Sequence, residues 1–401
     1  MQQQKINVSY RKISADKIFT GYSMLENQEV LITDFNGIVV DIVDKKDGGD
    51  DIETLNGIIA PGFVNCHCHL ELSHLRGIIP EKTGLVSFIL SILSQRNAEE
   101  KDILEAIEIA EKEMLNNGIV AVGDISNNAL TLSQKLKNNL YYHNFIEVSG
   151  FSPAIANLRF DIAKEIYQKF KNDFPNQTSL VPHAPYSVSK ELFHLINTIE
   201  ETRLSSIHNQ ETQEENEFFI TGKGDFNRLY ETIGSDLKSF YKPSGKSSLQ
   251  TVLPNIKNTE KLLLVHNTCT IQEDIDFHNE SAESVKAIFC LCINANLYIE
   301  NRVPPIDLLL KNNCEIVLGT DSLASNHTLS ILSEIVSIQK FFPKIPLETL
   351  LKWSTLNGAK ALGIENIFGS FEKGKKPGII NIAGVSNKNT LTTESAVRVL
   401  I

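Results

Sequence analysis

His67 and His69 stand two residues apart at the end of Ile58-Ile59-Ala60-Pro61-Gly62-Phe63-Val64-Asn65-Cys66, an apolar run bent once by Pro-Gly. On a strand, side chains two apart share a face, so both imidazoles can meet one cation while Cys66 and Cys68 point the other way. A motif this short also fits a pair of ordinary surface histidines or a Cys-x-Cys redox pair, and its weight comes from its company. Other apolar runs end in the same manner: in His183, in His208, in His266, and in Asp321 of Leu318-Gly319-Thr320-Asp321. His208-Asn209-Gln210-Glu211 adds a carboxylate one turn further on, well placed to move a proton; read blandly, it is an acid at a helix N-terminus. The bland reading of His266 is a core histidine bonded to backbone.

These residues need a scaffold that brings distant strand ends together. Strand-like runs at 58–69, 119–125, 143–149, 178–183, 204–208, 261–266, 286–292 and 315–320 alternate with helical spacing at 99–117, 189–202 and 347–362. Gly118 and Gly363 close two of those helices, and Gly358 interrupts the last. Eight such units predict an α/β fold, a (β/α)8 TIM-like barrel over 58–365, whose chemistry sits at the carboxyl ends of the strands. The five histidines and the aspartate all fall at that end.

Residues 1–57 and 366–401 share a different texture of short alternating strands and Gly/Pro turns, and predict one small β-sandwich built from both chain ends. Residues 213–250 break the barrel rhythm: polar, Gly- and Ser-containing, with isolated Phe218, Phe219, Phe226, Tyr230, Phe240 and Tyr241. The segment reads either as a solvated surface excursion or as a lid over a substrate, and its place directly after His208 and Glu211 favours the lid.

The chain has 401 residues, 42% hydrophobic and 22% charged, with a net charge of −11. That acidity disfavours nucleic acid and anionic membrane as partners and leaves a small molecule as the expected one. No apolar run approaches the roughly 20 residues of a membrane span, and Met1-Gln2-Gln3-Gln4-Lys5 lacks an apolar signal core, so a cytoplasmic location is expected. The six cysteines follow no disulfide framework and are expected as reduced core thiols; the Cys-x-Cys spacing of Cys66/Cys68 and Cys290/Cys292 argues against a zinc site built from them.

Pro61-Gly62-Phe63-Val64-Asn65-Cys66-His67-Cys68-His69-Leu70, together with Leu75-Arg76-Gly77, His208-x-x-Glu211, His266 and Gly319-Thr320-Asp321-Ser322, resembles the amidohydrolase superfamily over nearly the whole chain. Within it, the match is to the branch of cytosine deaminase-like, chlorotriazine hydrolase-like and adenosine-derivative deaminases. The resemblance implies one divalent metal held by His67, His69, His208 and Asp321. Binuclear relatives use a lysine at the end of strand four, where this chain has Ser179-Leu180-Val181-Pro182-His183. The donor set suits Zn²⁺, with Fe²⁺ as the alternative. Such an ion lowers the pKa of a bound water from about 16 towards about 7. The resemblance further implies that Asp321 accepts a water proton, Glu211 protonates a ring nitrogen, and His266 stabilises the oxygen of the tetrahedral intermediate before ammonia leaves.

His183-Ala184-Pro185-Tyr186-Ser187 and Leu70-Glu71-Leu72-Ser73 look most like aminodeoxyfutalosine deaminases of menaquinone biosynthesis, with methylthioadenosine and adenosylhomocysteine deaminases as relatives. Glu71, Arg76, His183 and Asn296 are the implied substrate contacts; a strand-end salt bridge or a loop anchor would equally account for Glu71 and Arg76. Two stretches depart from the family pattern: Cys292-Ile293-Asn294-Ala295-Asn296, without the usual Pro and Ser, and Lys376-Pro377-Gly378-Ile379, without the usual Ala-Asp. The expected function is hydrolytic deamination of an aminopurine nucleoside. Its alternatives are hydrolysis of another heteroaromatic C–N or C–Cl bond or of an amide, and a barrel without catalysis that serves as a binding protein. Many relatives are homo-oligomers, which the resemblance leaves open here.

Overall fold

In a computed structural model, residues 10–199, 202–281, 285–386 and 389–401 are described. The start of the expected N-terminal module (1–9) and part of the expected 189–202 helix (200–201) lie outside them.

The barrel is two four-stranded half-sheets. One orders Thr178–Pro182, Tyr141–Val148, Ile119–Ser126 and Phe63–Cys68; the other orders Thr202–Asn209, Thr259–His266, Lys286–Leu291 and Ile316–Leu318. Strands covered on both faces have no use for alternation, and Leu262-Leu263-Leu264-Val265 is accordingly apolar and wholly buried. The halves join where the sequence motifs lie. The His208 N–H donates to the His183 carbonyl at 2.9 Å, while Thr320 and Asp321 N–H donate to the His67 carbonyl at 3.0 and 3.1 Å. A parallel bridge between Cys68 and Asp321 completes the ring. Parallel registers set Val148 beside Pro182, Asn209 beside His266 and Leu291 beside Leu318, so the strand ends form one rim.

Helix Glu100–Asn116 ends at Gly118 (φ +77°) much as its spacing predicts. Helix Lys190–Ile196, capped by the Ser189 hydroxyl accepting from Leu192 N–H, is shorter than the expected 189–202, because strand five already begins at Thr202. Gly358 does not break the third helix: Leu347–Lys352 passes through a π-turn at Trp353–Asn357 into Gly358–Leu362 and stops at Gly363 (φ +70°).

The 213–250 segment is not a solvated excursion. It contains helices Gln213–Thr221 and Phe226–Thr232 and the start of Ser248–Val252. Phe218 and Phe226 are fully buried, and Phe218 stacks on Tyr241 with centroids 4.4 Å apart. Phe226 and Tyr230, one turn apart, join them in a cluster that includes Leu75, Leu85 and Phe88. Aromatics that look isolated in sequence are gathered here by tertiary packing.

The chain divides into two compact units. One comprises Met1–Val64, Met114–Val120 and Ser330–Ile401, the other Asn65–Glu113 and Ala121–Leu329. The first holds the terminal strands in two sheets, and Ile13, Ile18, Leu31, Val39, Ile59 and Ile379 from both sheets form a single apolar cluster. It extends beyond the predicted 1–57 and 366–401 because Met24 N–H bonds to Glu348, Leu391 N–H bonds to Gln339, and Phe63 N–H bonds to the Gly118 carbonyl. Every expected site residue lies in the second unit.

Candidate active site

His67, His69 and His208 aim Nε2 at a common point: His69 Nε2 is 3.1 Å from that of His67 and 3.2 Å from that of His208. Asp321 Oδ1 lies 3.5 Å from His67 Nε2 and 3.4 Å from His69 Nε2. A tetrahedron with metal–ligand bonds of about 2.1 Å has edges of about 3.4 Å, so the residues present fit a four-coordinate divalent ion. His266 belongs to the same group: His67, His208, His266 and Asp321 offer donor atoms all within 4.8 Å of one another.

Three members are fixed from behind. His208 Nδ1–H donates to the His183 carbonyl at 2.8 Å, which turns Nε2 inward. Ser325 Oγ donates to Asp321 Oδ2 at 2.5 Å, leaving Oδ1 for the cluster. His266 Nδ1–H donates to Asn296 Oδ1 at 2.8 Å, and Asn296 Nδ2 donates to Thr268 Oγ1 at 2.7 Å. Beneath the end of strand one, fully buried Lys135 pairs with Asp124 at 2.6 Å, and Asp124 Oδ1 accepts the Leu70 N–H at 2.8 Å. His266 (φ +75°) and Asp321 (φ +57°) adopt left-handed backbone, which costs roughly 1–2 kcal/mol for a non-glycine residue and is held by these contacts.

Burial governs the protonation states. It drives the imidazoles of His69 and His266 down to about 3 and about 4, so both are neutral and present lone pairs. Burial pushes Asp321 up, but the hydrogen bond from His67 and the surrounding imidazoles outweigh it and hold the carboxyl well below its ordinary range. Glu211 goes the other way. Burial first, then the charges of Asp321 and Glu215, raise it well above the usual carboxylate range, which favours its protonated form. Its Oε1 is 3.7 Å from His266 Nε2.

A cavity of about 450 Å³ opens onto this cluster and is lined by His69, His183, His208, Glu211, His266 and Asp321. Glu71 also lines it, buried and pushed up to about 7 by that burial, with Oε2 accepting from Asn127 N–H at 3.0 Å. His183 contacts the Ser187 hydroxyl at 2.6 Å. Two expected substrate contacts are placed elsewhere. Arg76 turns away from the cavity to pair with Glu113, and Asn296 stands behind His266 as its hydrogen-bond partner. The six cysteines are free thiols, and burial raises those of Cys66 and Cys68, which keeps them protonated.

Sequence reading missed Glu147, at the end of strand three, whose Oε2 is 3.6 Å from His208 Nδ1 and whose pKa burial pushes up to about 7. Glu147 stands one residue before the end of its strand, between Ile146 and Val148, where no run ends in it. It also missed the wall formed by Leu85, Phe88, Ile89, Ile92, Leu93 and Arg96, which has the ordinary spacing of any buried helix face.

A model of the amidohydrolase family matches residues 58–398. The chain is 27% identical to an adenosine deaminase of Helicobacter pylori over 343 residues, 84% of this chain and 81% of that one. Its fold matches the crystal structure of Helicobacter pylori aminofutalosine deaminase in complex with methylthio-coformycin, with a TM-score of 0.77 and 22% identity over 95% of this chain and 93% of that one. It also matches an adenosine deaminase from Xanthomonas campestris with bound zinc, with a TM-score of 0.69 and 21% identity over 96% of this chain and 86% of that one.

Proposed function

This chain belongs to the amidohydrolase family, and from that premise we propose that it is a metal-dependent deaminase that removes the amino group of an aminopurine nucleoside. One observation carries the reading: three imidazole nitrogens and one carboxylate oxygen converge at tetrahedral spacing, with the Glu211 carboxyl beside them in the same cavity. A divalent ion held by His67, His69, His208 and Asp321, with Zn²⁺ the best fit to the donors, supplies a water of lowered pKa as the nucleophile.

The side chains then move protons. Neutral His266, with Nδ1–H committed to Asn296, presents Nε2 as an acceptor and takes the first proton from the attacking water. This changes the role expected from sequence, since His266 can donate to the new oxygen only after it has become an imidazolium. Glu211 gives its proton to the ring nitrogen beside the attacked carbon, which removes charge from the ring as the C–O bond forms. Asp321 accepts the remaining hydroxyl proton and passes it to the amino group, which leaves as ammonia. His266 returns its proton to Glu211 across the 3.7 Å between them, and the site is restored.

In the narrower reading, the substrate is aminodeoxyfutalosine or a related adenosine derivative, the pathway menaquinone biosynthesis and the location cytoplasmic. Glu71 and His183 in the cavity wall support it, as does the likeness to the Helicobacter proteins. Among the described residues no helix is long and apolar enough to cross a membrane. The 213–250 segment, packed through Phe218, Phe226 and Tyr230 in one cluster with cavity-lining Phe88, serves as the cover of the site.

Zinc-loaded protein presented with aminopurine nucleosides, pterins and chlorotriazines tests the assignment. Ammonia release confined to the aminopurines is the expected result. Turnover of triazines alone would move the chain to the other hydrolytic class, and a protein that takes up no metal would make it a binding protein.

A further inference from the structure

The Glu211 carboxyl takes no hydrogen bond among the described residues, and its Oε1 stands 3.7 Å from His266 Nε2. Its aim is therefore inherited from its backbone. That backbone leaves strand Thr202–Asn209 through Gln210, whose left-handed conformation (φ +47°) is unfavourable for a residue with a side chain and has to be held.

A second carboxylate supplies the hold. Glu215 is wholly buried in the first turn of helix Gln213–Thr221; its Oε1 accepts the Gln210 N–H at 3.1 Å and its Oε2 the Glu211 N–H at 3.2 Å. Two successive N–H groups on one carboxylate fix both peptide planes that flank the Gln210 Cα, and with them the direction in which the Glu211 side chain departs. The Gln210 side chain is pinned from the strand-six side: Nε2 donates to Asp274 Oδ2 at 2.7 Å, and Oε1 accepts the Thr270 hydroxyl at 2.8 Å.

Helix termination alone does not account for this arrangement. Thr212-x-x-Glu215 has the pattern of a capping box, in which the acid turns back to the N–H of the capping residue. Here the Thr212 hydroxyl makes no capping bond, and Glu215 reaches past it to the two residues before. Burial pushes Glu215 up to about 7 against the hydrogen bonds from Ser248, Gln210 and Glu211, a cost that an exposed acid at a helix start does not bear. The same helix carries Phe218 of the aromatic cluster, so packing fixes the element from which Glu215 reaches.

Building on the deaminase reading, we propose that Glu215 is the positioning residue of the proton donor: its two oxygens hold the Glu211 backbone so that the Glu211 carboxyl meets the ring nitrogen of the substrate.

A double-mutant cycle on zinc-loaded protein tests this, with ammonia release measured from whichever of adenosine and its 5′-thioethers turns over fastest. Glu215→Gln keeps the shape but sets an amine against one of the two N–H groups; kcat is expected to fall about 10–100-fold with KM and zinc content little changed. In the Glu211→Gln background the same substitution should alter kcat by less than about twofold, because the donor it serves is gone. An unchanged kcat in Glu215→Gln, or an equal loss in both backgrounds, overturns the proposal. If Glu215→Gln loses its fold or its zinc, Glu215→Asp, one methylene too short to span both N–H groups, takes its place in the cycle with the same two expectations. Should the wild type release no ammonia from any aminopurine nucleoside, the deaminase reading fails, and amide hydrogen exchange decides the grip alone. Exchange about tenfold faster at Gln210 and Glu211 in the variant, with the rest of strand Thr202–Asn209 unchanged, upholds it; equal exchange overturns it.

Discussion

The two sides of the cavity are built by opposite means. On the strand side, His67, His69, His208, Glu211, His266 and Asp321 are buried polar groups; His208, His266 and Asp321 are each aimed by a partner behind them, and left-handed backbone is held at His266 and Asp321. On the helix side, Leu85, Phe88, Ile89, Ile92 and Leu93 present an apolar face with none of that bracing. The contrast separates the two uses of binding energy. A polar group held in place ahead of time acts mainly in the transition state, whereas an apolar wall grips ground state and transition state alike. Defects on the strand side should therefore appear in kcat, and those on the helix side in KM.

The largest break in that contrast comes from the ligand set itself. Chelation of the metal, or His208→Ala, is expected to reduce turnover to background while circular dichroism still reports a folded barrel; metal content measured by atomic absorption should fall in parallel. Retention of one metal per chain with substantial activity in His208→Ala would remove His208 from the set.

Glu211→Gln follows, with an expected loss of about 10²–10⁴ in kcat at undiminished metal content. The same residue is expected to set the pH profile. Its raised pKa means that the active, protonated form persists below that value and is lost as pH climbs through it, so kcat/KM should decline on the alkaline side. His69 and His266, held near 3 and 4, stay neutral through pH 5 to 6 and impose no acid limb there. Glu211→Gln should abolish the alkaline limb, and a limb that survives the substitution belongs to another group.

The same division separates what is legible in the sequence from what is not. Strand-end residues are legible because a parallel barrel leaves them only one place to go: once eight buried runs are recognised, the residue after each run must face the mouth. That reasoning found His183, His208, His266 and Asp321, but not Glu147, which precedes the last residue of its strand. It could not orient side chains beyond the strand. Arg76 follows the 3-10 turn Leu70–Leu75, which sends it to Glu113, and Asn296 lies in the first turn of Ile293–Glu300, which sets it behind His266. The helix wall and the aromatic cluster of Phe218, Phe226 and Tyr230 stayed hidden for a different reason. Apolar residues at helical spacing reveal that a face is buried without revealing what against.

Asn296→Ala sits between the two sides, since it removes no contact with substrate. Loss of the Oδ1 acceptor frees His266 to take the other tautomer, and kcat should fall by about 10–100-fold with KM little altered. A rise in KM at unchanged kcat would instead return Asn296 to the substrate contacts expected from sequence.

The smallest effect, and the one that sharpens the contrast most, belongs to the wall. Ile92 is part-buried and lines the cavity on the face shared with Phe88 and Ile89. Ile92→Ala trims about three carbons from a surface that should touch only the unreacting tail, worth about 1–2 kcal/mol, so KM for an apolar-tailed nucleoside should rise about five- to thirtyfold. Because the wall grips ground state and transition state equally, kcat should hold. A short-tailed substrate that never reaches Ile92 should be indifferent to the change. If kcat fell for both, the helix would be positioning the strand-end groups rather than the tail, and the division between a braced side and a merely adhesive one would not stand.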